Sequence, residues 1–347
     1  MNAHTAHTVH SGAARFAAPL RAVDRVEVER PAPAMAFRAY KTVDRRDPYM
    51  DGHFPGLTLL PATFFLEALR QSLDLVADGP EPVGLLGVGT GRWLSPVLDG
   101  EEVCLDVGAE PAGPGHWAVR VRGSRADGTP VAVVKATATT GSAPTGSADG
   151  STEPADPYGP PAGLPTLPGA DPASELRAPS GPPAPGSAGV RLPDYAEMLA
   201  VLPVAHPIVL VDRVEQLEPG RRAVVSKAVT GSEPCYRGMP SGLPASRYAY
   251  PPSLLLESFG QAAALLWLDS VPSDGVRMAA SVRDCRFLGQ VHPGAVLRHV
   301  VRVDRQIGDD VFVSGRTWDG DRCVLAVGMM ATVTRPRSHV CGGRPAS

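Results

Sequence analysis

The chain has 347 residues, a formal net charge of -3 at pH 7, 43% hydrophobic residues and 20% charged residues. This length allows two ordinary domains, each with its own core, and the composition is typical of a soluble globular protein. The nearly neutral charge provides no field that would attract nucleic acid, so no nucleic-acid partner is expected.

Three features predict the location of the protein. The N-terminal segment 1–17 lacks the apolar core of a signal peptide and is expected to be a disordered tail. The longest apolar run, 253–268, is interrupted by Glu257 and Gln261 and is too short to cross a bilayer, so no membrane association is expected. The five cysteines contain no CxxC pair, which predicts neither a metal site nor disulfides and favours the cytoplasm.

A change in composition divides the chain. Residues 140–189 consist mainly of Pro, Gly, Ala, Ser, Asp and Thr, with few large apolar side chains. Such a segment cannot bury enough apolar surface to offset the entropy of ordering, so it predicts a flexible linker. The expected folded domains are 18–139 and 190–336, followed by a tail at 337–347.

The two predicted domains are diverged copies of one unit. Four pairs of segments match in the same order, with offsets between 186 and 194 residues. The pairs are PLRAVDRV (19–26) with PIVLVDRV (207–214), DPYMDG (47–52) with EPCYRG (233–238), EALRQ (67–71) with ESFGQ (257–261), and RWLSPV (92–97) with RFLGQV (286–291).

Each copy predicts the same order of elements: a short strand, an irregular Pro/Gly loop, one helix and several strands. The helices are predicted over 61–76 and 252–268, where Pro stands near each start and apolar residues cover most of the circumference. The later segments, such as HWAVRVRGSR and VFVSGRTWDG, alternate like strands. The glycine-rich run 87–91 is predicted to be a connection, because no helix follows it as a nucleotide loop would require. The result is an α+β unit with a buried helix wrapped by an antiparallel sheet.

One segment of the first copy carries a specific motif. Gly52-His-Phe-Pro-Gly56 is followed by Pro61 and Glu67, and fourteen positions separate His53 from Glu67. This segment resembles the active-site region of the FabA/FabZ-type 3-hydroxyacyl-[acyl-carrier-protein] dehydratases, whose pattern is GHFPGxPxxPGxxxxEA. The run LPVAHPIVLVDRV in the second copy resembles the opening of the same family. The resemblance implies a hot-dog fold for each copy, and therefore a double hot-dog.

In this family two hot-dog units pair, and each site takes its His from one unit and its carboxylate from the other. Carried onto this sequence, the resemblance implies catalytic His53 and Glu257. Ala62, Gly56 and Gln261 would hold the thioester oxygen or orient the substrate. Gln261 would lie on the same helix face as Glu257 and hydrogen-bond its carboxyl or an ordered water. The arrangement is similar to the double hot-dog dehydratase domains of polyketide synthases. A structural ion pair between Glu257 and an arginine such as Arg247 is the alternative to its catalytic role.

The second copy departs from the family pattern at two positions. Met239 stands where the catalytic His belongs, and Pro252, which has no N–H, stands where Ala62 supplies one. The second composite site, formed by Met239, Pro252 and Glu67, is therefore expected to be degenerate. Glu67 is then a relic or a structural hydrogen-bonding partner.

The implied function is dehydration of (R)-3-hydroxyacyl thioesters to trans-2-enoyl thioesters, in polyketide or specialised fatty-acid biosynthesis. The substrate would be carried on the phosphopantetheine of an acyl carrier protein, and no metal or organic cofactor is expected. The two copies would form an intramolecular pseudo-dimer that could assemble further as a homo-oligomer. Two alternatives remain open: a non-catalytic hot-dog subunit that binds acyl thioesters or supports a partner, and a hot-dog thioesterase or enoyl isomerase.

Overall fold

The computed structural model describes residues 7–10, 17–79, 81–141, 192–267 and 275–340. These residues form thirteen strands and four α-helices: β1 His7–His10, β2 Arg25–Arg30, β3 Met35–Thr42, α1 Phe64–Ala77, β4 Val83–Trp93, β5 Glu102–Gly113, β6 His116–Arg125, β7 Pro130–Thr140, α2 Tyr195–Val201, β8 Arg213–Glu218, β9 Arg222–Ala228, α3 Pro252–Ala264, β10 Gly275–Phe287, β11 Val296–Ile307, β12 Asp310–Asp319, β13 Arg322–Pro336 and α4 Arg337–Val340. No helix in these residues is long and apolar enough to cross a membrane.

The strands form one antiparallel sheet in which the two copies keep the same topology. The first unit has the order β2-β3-β5-β6-β7-β4, and the second has β8-β9-β11-β12-β13-β10. Strand β4 pairs with its counterpart β10, from Arg92 opposite Ser281 to Gly87 opposite Arg286. Because the same strand of each unit meets its counterpart antiparallel, the units are related by an approximate twofold axis.

Each unit buries one long helix against its sheet. The fully buried side chains of α1 include Leu66, Leu69 and Leu73, and those of α3 include Leu254 and Phe259. Burial of one such side chain contributes about 1.5–3 kcal/mol to the stability of the fold. Helix α1 begins later than predicted, at Phe64, because residues 61–63 form a turn. Helix α3 begins at Pro252 as predicted and continues as a 3-10 turn at Leu265–Trp267.

The predicted tails are wrong at two places. Residues 7–10 form β1, which pairs with β2 and covers an edge of the sheet that would otherwise leave backbone groups unpaired. Residues 337–340 form α4, and Val340 is buried in the core. The other residues of the predicted tails, 1–6, 11–16 and 341–347, lie outside the described residues, as do 142–189 of the predicted linker.

The predicted connection at 87–91 is also wrong, because these residues lie inside β4. A Cβ atom at Gly87 would lie 2.6 Å from the carbonyl oxygen of Cys285 on β10. Glycine is therefore needed for the close approach of the two central strands, and it does not mark a loop.

Candidate active site

A tight turn positions His53. The amide of Phe54 donates to the carbonyl of Leu57 at 2.7 Å, and the amide of Leu57 donates back at 2.9 Å. Between them lie Pro55 and Gly56, and Gly56 has a φ of +69°. Proline followed by a glycine with positive φ is the sequence signature of a type II turn. Gly56 is exposed, and its positive φ shapes the turn that carries His53.

The His53 ring is buried, and the backbone carbonyl of Leu59 orients it. Its Nδ1 lies 3.1 Å from the carbonyl oxygen of Leu59, which can only accept, so Nδ1 carries the proton. The Nε2 lone pair is then available to take a proton. Burial lowers the pKa of His53, while the charge of Glu257 and the bond to Leu59 act in the opposite direction. His53 therefore has the form that a general base needs.

Glu257 reaches the same site from the second unit. Its Oε2 accepts a hydrogen bond of 2.9 Å from the hydroxyl of Thr63, which stands at the start of α1 in the first unit. Its Oε1 accepts from the Gln261 side chain at 3.2 Å. The Thr63–Glu257 bond crosses between the units, and the charge of Glu257 acts on His53. The structure thus brings His53 and Glu257 into one composite site.

Hydrogen bonds at both ends of its amide fix the orientation of the Gln261 side chain beside Glu257. Its Oε1 accepts from the amide of Leu210 at 2.8 Å, and its Nε2 donates to the carbonyl of Ile208 at 2.8 Å as well as to Glu257. An amide whose oxygen and both N–H groups are engaged has one favoured orientation. Gln261 is therefore a positioning residue for the carboxyl group.

The start of α1 provides a position for a negatively charged oxygen. The amide of Phe64 donates to Pro61 and that of Leu66 donates to Thr63. Among the described residues the Ala62 amide has no acceptor. Free amides at a helix N-terminus, together with the helix dipole, stabilise an anion. Ala62 thus stands where the resemblance requires an N–H donor.

Sequence relatives decide the family. No protein-family model matches the chain. A 3-hydroxyacyl-[acyl-carrier-protein] dehydratase FabZ from Roseiflexus sp. (strain RS-1) is 38% identical over 111 residues, which cover 31% of this chain and 74% of the relative. The FabZ of Lactiplantibacillus plantarum is 33% identical over 130 residues, covering 37% of this chain and 86% of the relative. The chain belongs to the FabZ dehydratase family.

Solved structures extend the similarity beyond the part that FabZ sequences cover. The dehydratase domain from the CurJ module of the curacin polyketide synthase superposes with a TM-score of 0.56 at 11% identity, covering 92% of this chain and 97% of that domain. The bifunctional dehydratase-cyclase domain of ambruticin biosynthesis gives 0.53 at 19% identity, covering 91% and 96%. The predicted double hot-dog fold is confirmed.

The second composite site of this FabZ-family chain repeats the anchoring of the carboxylate. Glu67 accepts from the Gln71 side chain at 2.8 Å and from the hydroxyl of Ser253, in the second unit, at 2.9 Å. Gln71 in turn holds the amide of Ala22 and the carbonyl of Leu20, both at 3.1 Å. The anchoring is therefore a property of the fold and does not distinguish the two sites.

Three features distinguish the second site from the first. Arg70 forms a buried ion pair with Glu67, whereas the equivalent position in the second unit is Gly260. Met239 occupies the loop position equivalent to His53, and Pro252 is the first residue of α3. In the second site the carboxylate is thus paired with a guanidinium. Methionine stands at the position of the histidine, and proline provides no N–H at the position of the amide donor.

Thr63, Ser253 and Arg70 were not predicted from the sequence as residues of these sites. Thr63 and Ser253 occupy equivalent positions in the two copies, and both carry a hydroxyl, which was a visible signal. Arg70 was the one arginine predicted inside the first apolar helix. The contacts of the two hydroxyls depend on how the helices face each other, which the sequence did not reveal. Arg70 pairs with Glu67 three positions earlier on the same helix, so this contact was visible in the spacing.

Proposed function

We propose that this chain dehydrates (R)-3-hydroxyacyl thioesters carried by an acyl carrier protein, giving trans-2-enoyl thioesters, at one site built by both units. The observation that carries the proposal is the Thr63–Glu257 hydrogen bond between the units, beside a buried His53 with an available Nε2. The FabZ relatives are named for this reaction.

The reaction divides among the groups of this site. Nε2 of His53 takes the proton from C2, and the electrons of the C2–H bond form the C2=C3 double bond as the C3–O bond breaks. Negative charge that develops on the thioester oxygen is stabilised by the Ala62 amide and the N-terminus of α1. Glu257, in its protonated form, gives a proton to the departing hydroxyl, so water leaves. Return of the proton from His53 to Glu257, directly or through solvent, restores the site.

The remaining expectations belong to this proposal. The acyl group would arrive on the phosphopantetheine arm of the carrier protein, and both proton transfers use side chains, so no metal or organic cofactor takes part. The β4–β10 junction supports an intramolecular pseudo-dimer. A degenerate second site supports a specialised pathway, such as polyketide or unusual fatty-acid assembly. The cytoplasmic location and any further homo-oligomer also remain proposals.

Product analysis tests the proposal. The purified protein is incubated with a 3-hydroxyacyl carrier protein, and the acyl chain is identified by mass spectrometry. The expected product is lighter by one water, and His53→Ala should slow its formation by about 10²–10⁴-fold, the range for general acid–base catalysis. Release of the free acid would indicate a thioesterase. A parallel incubation with a 2-enoyl carrier protein tests for an isomerase, whose product has the same mass and a shifted double bond and is separated by chromatography. Binding without any product would indicate the non-catalytic alternative.

A further inference from the structure

A chain of hydrogen bonds runs through the core of the second unit behind Glu257. The hydroxyl of Ser258 lies 2.5 Å from the carbonyl oxygen of Leu210 and 2.7 Å from Nε2 of His299. Nδ1 of His299 lies 2.8 Å from the hydroxyl of Thr317. Ser258, His299 and Thr317 are each 0% exposed. We call these three residues the buried triad.

The direction of each hydrogen bond follows from chemistry. The Leu210 carbonyl can only accept, so the Ser258 hydroxyl donates to it. Ser258 must then accept from Nε2–H of His299, and the unprotonated Nδ1 must accept from the Thr317 hydroxyl. Each of these bonds is satisfied when His299 is neutral. Burial and the charge of Lys227 lower the pKa of His299 to about 3, so it stays neutral at ordinary pH.

Leu210 connects the buried triad to the active site. Its carbonyl is held by Ser258, and its amide donates to Gln261 at 2.8 Å. Gln261 donates in turn to Glu257. The position of the Glu257 carboxyl therefore depends on the position of Leu210, and the buried triad fixes Leu210 through its carbonyl group.

The first unit shows that the fold does not need these polar groups. Strand register places Leu105 opposite Gly123 and next to Ala39, as His299 lies opposite Thr317 and next to Val225. The equivalents of His299 and Thr317 are thus Leu105 and Gly123, and the equivalent of Ser258 is Ala68. Apolar side chains in a core avoid the desolvation penalty of buried polar groups, and replacing the polar groups with them often makes a protein more stable. The unit that supplies the working carboxyl carries the costlier arrangement.

We propose that Ser258, His299 and Thr317 are positioning residues that hold Leu210, and through Gln261 keep Glu257 aligned with Thr63 and the substrate. The proposal rests on the proposed dehydration at the His53–Glu257 site. The three side chains act through Leu210 and Gln261 and do not touch the reacting atoms.

The test replaces the buried triad with the packing of the first unit. The triple variant Ser258→Ala, His299→Leu, Thr317→Gly should fold, because the other copy of this chain already packs in that way. We expect kcat to fall about tenfold or more, since misplacement by about 1 Å can cost about 100-fold, while KM changes little. Leu105→Ala, which weakens the core of the first unit, is the control and should leave kcat nearly unchanged.

Hydrogen exchange provides a readout that needs no turnover. The Leu210 amide should exchange faster in the triple variant, whereas the Ala22 amide, which Gln71 holds in the same way, should not change. The positioning role is overturned if kcat and Leu210 exchange both match the wild type, or if Leu105→Ala lowers kcat equally. An inactive wild type would instead reject the proposed function, and the exchange difference would still decide whether the buried triad holds Leu210.

Discussion

At the scale of residues, the two helix glutamates accept equivalent hydrogen bonds but lie beside different ionisable side chains. Glu257 and Glu67 each accept one hydrogen bond from a glutamine on their own helix and one from a hydroxyl of the other unit. Glu257 acts on His53, whereas Glu67 is paired with Arg70. Because the guanidinium engages both oxygens of Glu67, that carboxyl is not available to protonate a departing hydroxyl. In the proposed mechanism these neighbours determine which of the two carboxyl groups can act as the acid.

The cross-unit hydroxyls provide a matched pair of variants. Thr63→Val keeps the size of the side chain and removes the donor to Glu257, so kcat should fall about tenfold while KM changes little. Loss of one hydrogen bond costs about 0.5–1.5 kcal/mol, and about 1.4 kcal/mol corresponds to tenfold in rate. Ser253→Ala removes the equivalent donor to Glu67 and should leave kcat unchanged. Steady-state kinetics of both variants measure these changes in kcat. An equal loss of kcat in both variants would argue against the assignment of the working site.

The pH dependence of kcat/KM should report His53. A protonated His53 cannot take a proton from C2, so activity is lost as pH falls through its pKa. Because burial lowers that pKa, the acid limb should lie below the ordinary histidine value of about 6.5. A pH–rate profile measured on the free enzyme's parameter kcat/KM locates the limb. An acid limb at or above pH 6.5 would show that His53 is not the base, or that substrate reaches it in a more polar setting.

At the scale of elements, the loop that carries His53 is pressed against the second unit. The amide of Ala205 donates to the carbonyl of Gly52 at 2.9 Å, and a Cβ atom at Gly52 would lie 2.0 Å from the carbonyl oxygen of Ala205. No side chain fits in this gap. The glycine before His53 therefore fixes how closely the two units approach at the site.

Substitution of this glycine should weaken both the fold and the activity. Gly52→Ala forces the loop away from Ala205, and overpacking of this kind costs about 1–3 kcal/mol. We expect a lower melting temperature by calorimetry together with a lower kcat. Gly108→Ala on β5, where a Cβ atom meets nothing within 4 Å, is the control and should change neither. A Gly52→Ala variant as stable and as active as Gly108→Ala would mean that the close approach is unimportant.

The sequence predicted the elements whose pattern is local. Both long helices and the strands after them were predicted from apolar spacing and from comparison of the copies. Strand β1 was missed because its pairing with β2 involves the backbone and has no local signal. The glycines inside β4 suggested a connection because their reason, the approach of β10, lies far away in the sequence. Helix α2 has a visible capping box of Asp194 and Glu197 but only seven residues.

At the scale of the whole molecule, the composite site follows from the continuous sheet. The resemblance predicted that His53 and Glu257 would come from different units, and the β4–β10 junction places the units so that α1 and α3 exchange hydroxyl–carboxylate contacts. The pairing of Arg70 with Glu67 did not follow from the resemblance. The two residues lie three positions apart on α1, a spacing that favours such a pair, and the second copy has Gly260 in place of the arginine.

The stability of the whole molecule should depend on His299 at low pH. Its pKa is about 3 when folded and about 6.5 when unfolded, so between these values the unfolded chain binds more protons. The free energy of unfolding should therefore fall as pH decreases from about 6.5 towards 3, by up to about 1.4 kcal/mol per pH unit from this residue. Denaturant unfolding of wild type and His299→Leu over this range measures the contribution. Parallel pH curves for the two proteins would contradict the buried neutral histidine.

Each chain is proposed to have one working site, shared between its units. The most direct measurement compares the dehydration rate of three variants with that of the wild type. His53→Ala and Glu257→Gln should each lower kcat by about 100-fold or more, although the two residues belong to different copies. Met239→Ala, at the equivalent position of the degenerate site, should keep kcat within about twofold. Loss of activity in Met239→Ala, or full activity in Glu257→Gln, would contradict the account.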